Sequence, residues 1–297
     1  VAIVRDLISF RRNARRRSSF QAFWNNFFCL TAETYSFHDE AALSELSAKF
    51  DAFVCGSDQI WNLDCTRGVV GPFFLSFAGG RRRIAYAPSL AHTSFRQENF
   101  DRDEVARLLS QFDCLSVREK ETIPLFQPLV DKKIEVVLDP TLLFDACEYE
   151  PMLGNPPEDD YIFVYLLRKC PDLVASARDV AKQTGKRVYY IAERSLGIEG
   201  AINCYGVGPE RFVTLIAHAG LVLTNSFHAT VFSVLYRREF QSFACDASGA
   251  RIRDLLEELG IIGRCSSPYT LVDWNEVQSR MGALRNKSWS YLKEALA

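Results

Sequence analysis

The sequence predicts an α/β protein made of two doubly wound domains. Short apolar runs without a helical period recur along the chain, each ending in polar residues and separated by helical segments. Near-continuous runs of this kind are what parallel strands covered on both faces require. A stretch from Asp145 to Asp160 carries Pro151, Gly154, Pro156 and Pro157 with little apolar period, and it divides the chain. The 297 residues are enough for two domains with cores of their own. The predicted boundaries are 1–150 for an N-terminal Rossmann-like domain, joined by the C-terminal helix, and 158–297 for a C-terminal one.

The elements follow in order. Arg11, Arg12, Arg15, Arg16 and Arg17 form a basic cluster. Ser18 and Gln21 have capping-box spacing, and Phe20, Phe23, Trp24, Phe27 and Phe28 lie on one helical face. The simpler reading is a helix with a core-facing aromatic stripe and a solvated arginine run. Weak association with an anionic membrane surface is the alternative. Four strands follow: Ala52–Cys55, Ile84–Ala87, Cys114–Val117 and Glu135–Leu138. Beyond the linker, Tyr161–Leu167 opens a second α/β set. Pro171 suits the first turn of a helix running to Thr184, with Gly185 closing it. Strands at Arg187–Ile191, Leu221–Leu223 and Phe240–Phe243 alternate with helices opening at Pro209, over Ala229–Tyr236 and over Arg251–Leu259. The last helix spans Trp274–Ala297.

Composition excludes several classes. A net charge of −2 gives no bias toward nucleic acid. Nine Cys, an odd number without CxxC or Cys/His zinc spacing, read as reduced core thiols of a cytoplasmic protein, Cys55, Cys114 and Cys245 among them. No apolar run approaches the ~18–20 residues of a membrane span. Phosphate-loop, dinucleotide and nucleophile-elbow motifs are absent, and the acidic residues lack the clustering of a magnesium site. No metal or resident cofactor is expected.

In parallel sheets, ligands bind outside the carboxyl ends of the strands. The polar tails after the apolar runs are therefore the candidate site. Gly56 lets backbone approach a ligand closely, and Asp58 can act as acid, base or orienting group. Alternatively, Ser57 caps a helix with Asp58 in its first turn. His228 stands in a polar tail with Thr224, Asn225 and Ser226, and imidazole suits proton transfer near neutral pH. A hydrogen-bonded structural histidine is the other possibility. His218 reads as a helix-end residue. Arg118 and Arg168 each follow a strand and offer a fork that matches phosphate or carboxylate; Arg264 is a weaker candidate. Asp139 reads as support.

Gly56-Ser57-Asp58-Gln59-Ile60-Trp61-Asn62 resembles the signature of the polysaccharide pyruvyl transferase family. Ala85-Tyr86-Ala87-Pro88-Ser89, Leu138-Asp139-Pro140-Thr141-Leu142-Leu143 and Thr224-Asn225-Ser226-Phe227-His228 match in the same order, so the resemblance runs from about Phe20 to the C-terminus. It implies a GT-B-like pair of domains facing a cleft; the shared position of Asp58 and His228 after apolar strands predicts that they stand on opposite walls of it. It also implies transfer of pyruvate from phosphoenolpyruvate to a sugar or lipid-linked oligosaccharide of a bacterial surface polysaccharide. The expected location is the cytoplasm, with the inner face of the membrane as the alternative. In this reading His228 and Asp58 are catalytic, while Ser57, Gln59, Trp61, Asn62, Ser89, Arg118, Arg168, Asn225 and Ser226 bind substrate. Two departures stand out. Ser226 takes the place where many relatives carry arginine, so a cation must come from elsewhere. The chain also opens at Val1 without the usual strand and glycine-containing loop, so the first domain is expected to lack its first βα unit. A nucleotide-sugar glycosyltransferase of the same fold and a non-catalytic glycan-binding protein remain the rivals.

Overall fold

A computed structural model describes residues 2–90, 94, 96–245 and 249–297, and the side chains of all of these except 2–11 and Gln97. The Arg11 side chain and His92 lie outside the described residues. The helices are α1 (Ala2–Phe27), α2 (Glu40–Ser44), α3 (Leu63–Thr66), α4 (Arg102–Ser110), α5 (Ile123–Phe126), α6 (Ala146–Tyr149), α7 (Pro171–Thr184), α8 (Pro209–Ala217), α9 (Phe227–Leu235), α10 (Ala250–Glu258) and α11 (Trp274–Leu296). The strands are β1 (Ala52–Cys55), β2 (Arg82–Ala85), β3 (Leu115–Val117), β4 (Ile134–Val136), β5 (Tyr161–Tyr165), β6 (Arg187–Ile191), β7 (Ile202–Asn203), β8 (Leu221–Thr224) and β9 (Phe240–Ser242). The chain divides into two compact units, one of residues 33–143 with 278–297 and one of residues 1–32 with 144–277.

In the β1–β4 unit the strand pairs β1–β2 and β3–β4 are parallel, and a parallel bridge between Ile84 and Cys114 links the pairs. All four carboxyl ends therefore share one edge. The core is aromatic. Trp61 is fully buried and stacks on Phe74 at 5.1 Å between ring centroids, with Phe112 edge-on to it. Its indole Nε1 donates to the Phe73 carbonyl at 3.1 Å, which satisfies the one polar atom of a buried Trp. From Gln278 onward α11 completes this unit. Tyr291 Oη donates to the Ala85 carbonyl at 2.8 Å, and Trp289 Nε1 donates to the Leu143 carbonyl at 3.2 Å.

The β5–β9 unit holds a five-stranded parallel sheet in the order β7-β6-β5-β8-β9. The strand order reverses between β5 and β8, which makes that junction the topological switch point. β8 is buried along its whole length, and β5 everywhere but Tyr165. α7 begins at Pro171 and ends at Gly185 in the left-handed region (φ +68°), as the sequence predicts.

Several expectations change. Residues 1–32, expected with the first domain, group with the β5–β9 unit. The reason is close packing of α1: a Cβ at Gly206 would meet the Arg12 carbonyl at 3.0 Å, and one at Gly208 would meet Ser19 Cβ at 3.1 Å. Ser18 lies inside α1 and caps nothing, because the helix already runs from Ala2. The aromatic stripe is not core, since Trp24, Phe27 and Phe28 are exposed. The thiols are not all reduced, because Cys170 and Cys245 form a disulfide.

Candidate functional site

At the carboxyl edge of the β1–β4 unit the four strand tails are tied to one another. Gly56 sits at φ +120°, and a Cβ there would run into the Tyr86 carbonyl oxygen, so only glycine fits this turn. Asp58 and Ala87 hold positive φ values of 64° and 55°, uncommon for residues with a side chain. Hydrogen bonds fix both: Ser89 N donates to the Asp58 carbonyl at 2.7 Å, and Ser57 Oγ donates to the Ala87 carbonyl at 3.0 Å. Beneath them lies a buried ionic cluster. Arg118 donates through Nη1 to Asp139 Oδ2 at 2.5 Å and through Nε to Glu119 Oε1 at 3.0 Å. Ser89 Oγ donates to the same Glu119 oxygen at 2.6 Å, and Thr141 Oγ1 donates to Asp139 Oδ1 at 2.5 Å. Burial alone would lower the Arg118 pKa. Asp139 and Glu119 outweigh it and hold the guanidinium above its ordinary value.

This edge corrects part of the sequence reading. Trp61 is core and has no face for a sugar. Asn62 is buried and caps α3, its Oδ1 accepting from Cys65 N at 3.3 Å, while its Nδ2 donates to Gln59 Oε1 at 2.9 Å. Ser57 therefore caps no helix; α3 begins six residues later. Ser89 and Arg118 are buried and serve the ionic cluster. Asp139 caps the turn after β4, accepting from Thr141 N at 3.0 Å. Of the predicted residues here, Asp58 is exposed, and Ser57 and Gln59 are half-buried.

At the carboxyl edge of the β5–β9 unit the tails of β5 and β8 meet at the switch point. Asn225 joins them: its Oδ1 accepts from Leu167 N at 2.8 Å, and its Nδ2 donates to the Arg168 carbonyl at 2.8 Å. Both ends of this amide are thus bonded to backbone, so Asn225 positions the β5 tail. Ser226 is buried and caps α9, accepting weakly from Ala229 N at 3.4 Å. Thr224 Oγ1 steadies the same turn, donating to the Tyr165 carbonyl at 2.9 Å and accepting from Ser226 N at 3.0 Å. Three charge-bearing or titratable side chains emerge from this framework. Arg168 and Lys169 are exposed on the β5 tail, and His228 is half-buried in the first turn of α9. The N-terminus of a helix of nine residues favours a bound anion. An arginine, an imidazole and a helix N-terminus at a switch point can hold an anionic group and exchange a proton beside it.

The Cys170–Cys245 disulfide frames this place. It joins the tail of β5 to the tail of β9, and β8 lies between those strands. The other histidine and arginine candidates are structural. His218 ends α8, its Nδ1 lying 3.0 Å from the Thr214 carbonyl. Arg264 is buried, pairs with Glu239 at 2.6 Å and also donates to the Pro268 carbonyl. Sequence reasoning placed Glu119 in the tail after Arg118 and Thr141 in a family motif but gave neither a role, and it missed the pairing of Cys170 with Cys245. Among the described residues, no group of three or more His, Cys, Asp or Glu side chains is placed to hold a metal ion.

A model of the polysaccharide pyruvyl transferase family matches residues 3–246, and the chain belongs to that family. No curated protein matches it. Among solved structures, a UDP-GlcNAc 2-epimerase from Neisseria meningitidis bound to UDP-GlcNAc is similar at 10% identity, over 86% of this chain and 83% of that one, with a TM-score of 0.44. A UDP-GlcNAc 2-epimerase from Methanocaldococcus jannaschii, in complex with UDP-GlcNAc and UDP, gives 12% identity over 87% and 84% of the two chains, with a TM-score of 0.42. A glycosyltransferase from a Streptomyces species, complexed with thymidine diphosphate, gives 11% identity over 90% and 80%, with a TM-score of 0.42.

Proposed function

We propose that this chain transfers pyruvate from phosphoenolpyruvate to two hydroxyls of a sugar, forming a cyclic ketal, and that His228 is its acid–base group. Family membership supports a transferase of this kind. The observation that supports the residue assignment is the placement of His228 and Arg168 on the β8 and β5 sides of the switch point of a parallel sheet, with the tails held by Asn225 and Ser226. In this reading the helix N-terminus and Arg168 take the negative charge of the donor. His228 gives a proton to the methylene carbon, and the carbon bearing the phosphate becomes cation-like. A sugar hydroxyl bonds to that carbon and returns a proton to His228. Phosphate leaves with the electron pair of its C–O bond, and the second hydroxyl closes the ring. Its proton departs with the phosphate, so atoms and charge balance. The acceptor is a sugar of a cell-surface polysaccharide or of its lipid-linked precursor.

The test is ketal formation read by mass spectrometry. His228→Ala lowers turnover by roughly 10²–10⁴-fold, the usual worth of a general acid–base group. His228→Gln recovers little, because an amide cannot cycle a proton near neutral pH. Circular dichroism should show both variants folded. Near-normal turnover in His228→Ala would remove the residue from the chemistry. Turnover with a nucleotide sugar in place of phosphoenolpyruvate would replace the reaction itself.

A further inference from the structure

α1 carries a surface that the transfer reaction does not use. From residue 7 to residue 32 the chain holds five arginines, Arg11, Arg12, Arg15, Arg16 and Arg17, and no lysine, aspartate or glutamate. This basic block belongs to a chain whose net charge is −2. It is continuous with an apolar one, in which Trp24 is 45% exposed, Phe27 48%, Phe28 55% and Leu30 59%. The Phe28 amide still donates to the Trp24 carbonyl at 3.0 Å, so the helical geometry reaches that far.

The geometry of α1 separates two faces. Arg12 and Ser19 pack against Gly206 and Gly208, and Arg16 lies over the Tyr205 ring with its guanidinium carbon 5.6 Å from the centroid. Residues 12, 19 and 23 fall on one side of a 3.6-residue helix, and residues 17, 24 and 28 fall on a side well away from it. The first side is anchored to the β5–β9 unit. The second presents Arg17, Trp24 and Phe28 to solvent.

We infer that this face of α1 docks on an anionic lipid surface. Aromatic rings lie favourably at the level of lipid headgroups, and arginines keep their charge in the headgroup layer while their stems lie along apolar surface. Stable surface binding takes an apolar and an electrostatic signal together, and the two are adjacent here. Charge decides against a second copy of the chain as the occupant. Two such faces in contact would oppose like-charged arginine blocks, whereas an anionic bilayer neutralises them. Nor does any described helix have the length and apolarity to cross a membrane, so the contact is peripheral as far as the described helices go. The inference is independent of which donor the protein uses.

The test is co-sedimentation of the full chain with vesicles of phosphatidylcholine alone and of phosphatidylcholine and phosphatidylglycerol in equal parts. Binding is expected on the anionic vesicles only, and it weakens as salt is raised. Arg17→Gln lowers partitioning about fivefold, the effect of one basic side chain near an anionic surface. Trp24→Ser with Phe28→Ser abolishes binding at about 0.15 M salt and leaves only weak adsorption at low salt. All three side chains are exposed, and circular dichroism checks that the variants fold. Equal binding to neutral vesicles, no binding to anionic ones, or wild-type binding by these variants would overturn the proposal. So would a dimer that Trp24→Ser disperses. None of these outcomes alters the ketal assay, so the two readings fail separately.

Discussion

The two carboxyl edges obey one topological rule and use it differently. Both lie after parallel strands, and both concentrate polar residues in the strand tails. At the edge of the β1–β4 unit three charged groups turn inward while Asp58 stays exposed: Arg118, Glu119 and Asp139 are buried together and hold the tails in place. At the edge of the β5–β9 unit the uncharged groups do the holding, through Asn225, Ser226 and Thr224, and Arg168 and His228 remain at the surface. A charge used as framework is unavailable to a ligand. A framework built from amides and hydroxyls does not spend Arg168 and His228 on the bonds that hold the tails.

That contrast can be broken most forcefully at the first edge. Arg118→Ala strips the partner from two buried carboxylates and should cost about 3–5 kcal/mol of stability. Trp61→Ala should cost a similar ~3–5 kcal/mol by opening a cavity among Phe74, Phe112 and Phe126. Urea unfolding checks both. If either variant kept full stability and lost only activity, these residues would be ligand contacts after all. A smaller effect is expected at the second edge. Asn225→Ala removes two hydrogen bonds to backbone and should cost about 1–3 kcal/mol, with the β5 tail loosened. Faster amide exchange at Leu167 would show the loosening. Unchanged exchange there would mean that the amide does not position the tail.

Much of this architecture was legible in the sequence. The Tyr161 strand, the helix from Pro171 to Gly185 and the strand at Arg187–Ile191 follow from apolar runs and from Pro and Gly punctuation, which act locally. The two-residue strand β7 was not legible, because Ile202–Asn203 is too short to show a period. The grouping of residues 1–32 was not legible either, since it rests on two glycines, Gly206 and Gly208, far along the chain. For the site, the tail rule located both edges. It could not tell a buried arginine from an exposed one, because Arg118 and Arg168 look alike as residues following a strand. Their difference comes from Asp139, a residue of another tail that only the folded sheet brings within reach. Trp61 and Asn62 were misread for the same reason: a polar-flanked Trp after a Gly turn reads as a sugar platform until Phe74 and Phe112 are seen around it.

The most direct measurement of the contrast is calorimetric titration of phosphoenolpyruvate into Arg168→Ala, paired with urea unfolding of the same variant. If the exposed charges at the switch point serve the donor, affinity falls about 10- to 100-fold, the worth of a hydrogen bond to a charged group. Stability should stay within about 0.5 kcal/mol of the unsubstituted chain, as for an exposed surface residue. Unchanged affinity for phosphoenolpyruvate, or a loss of stability as large as that of Arg118→Ala, would contradict the account.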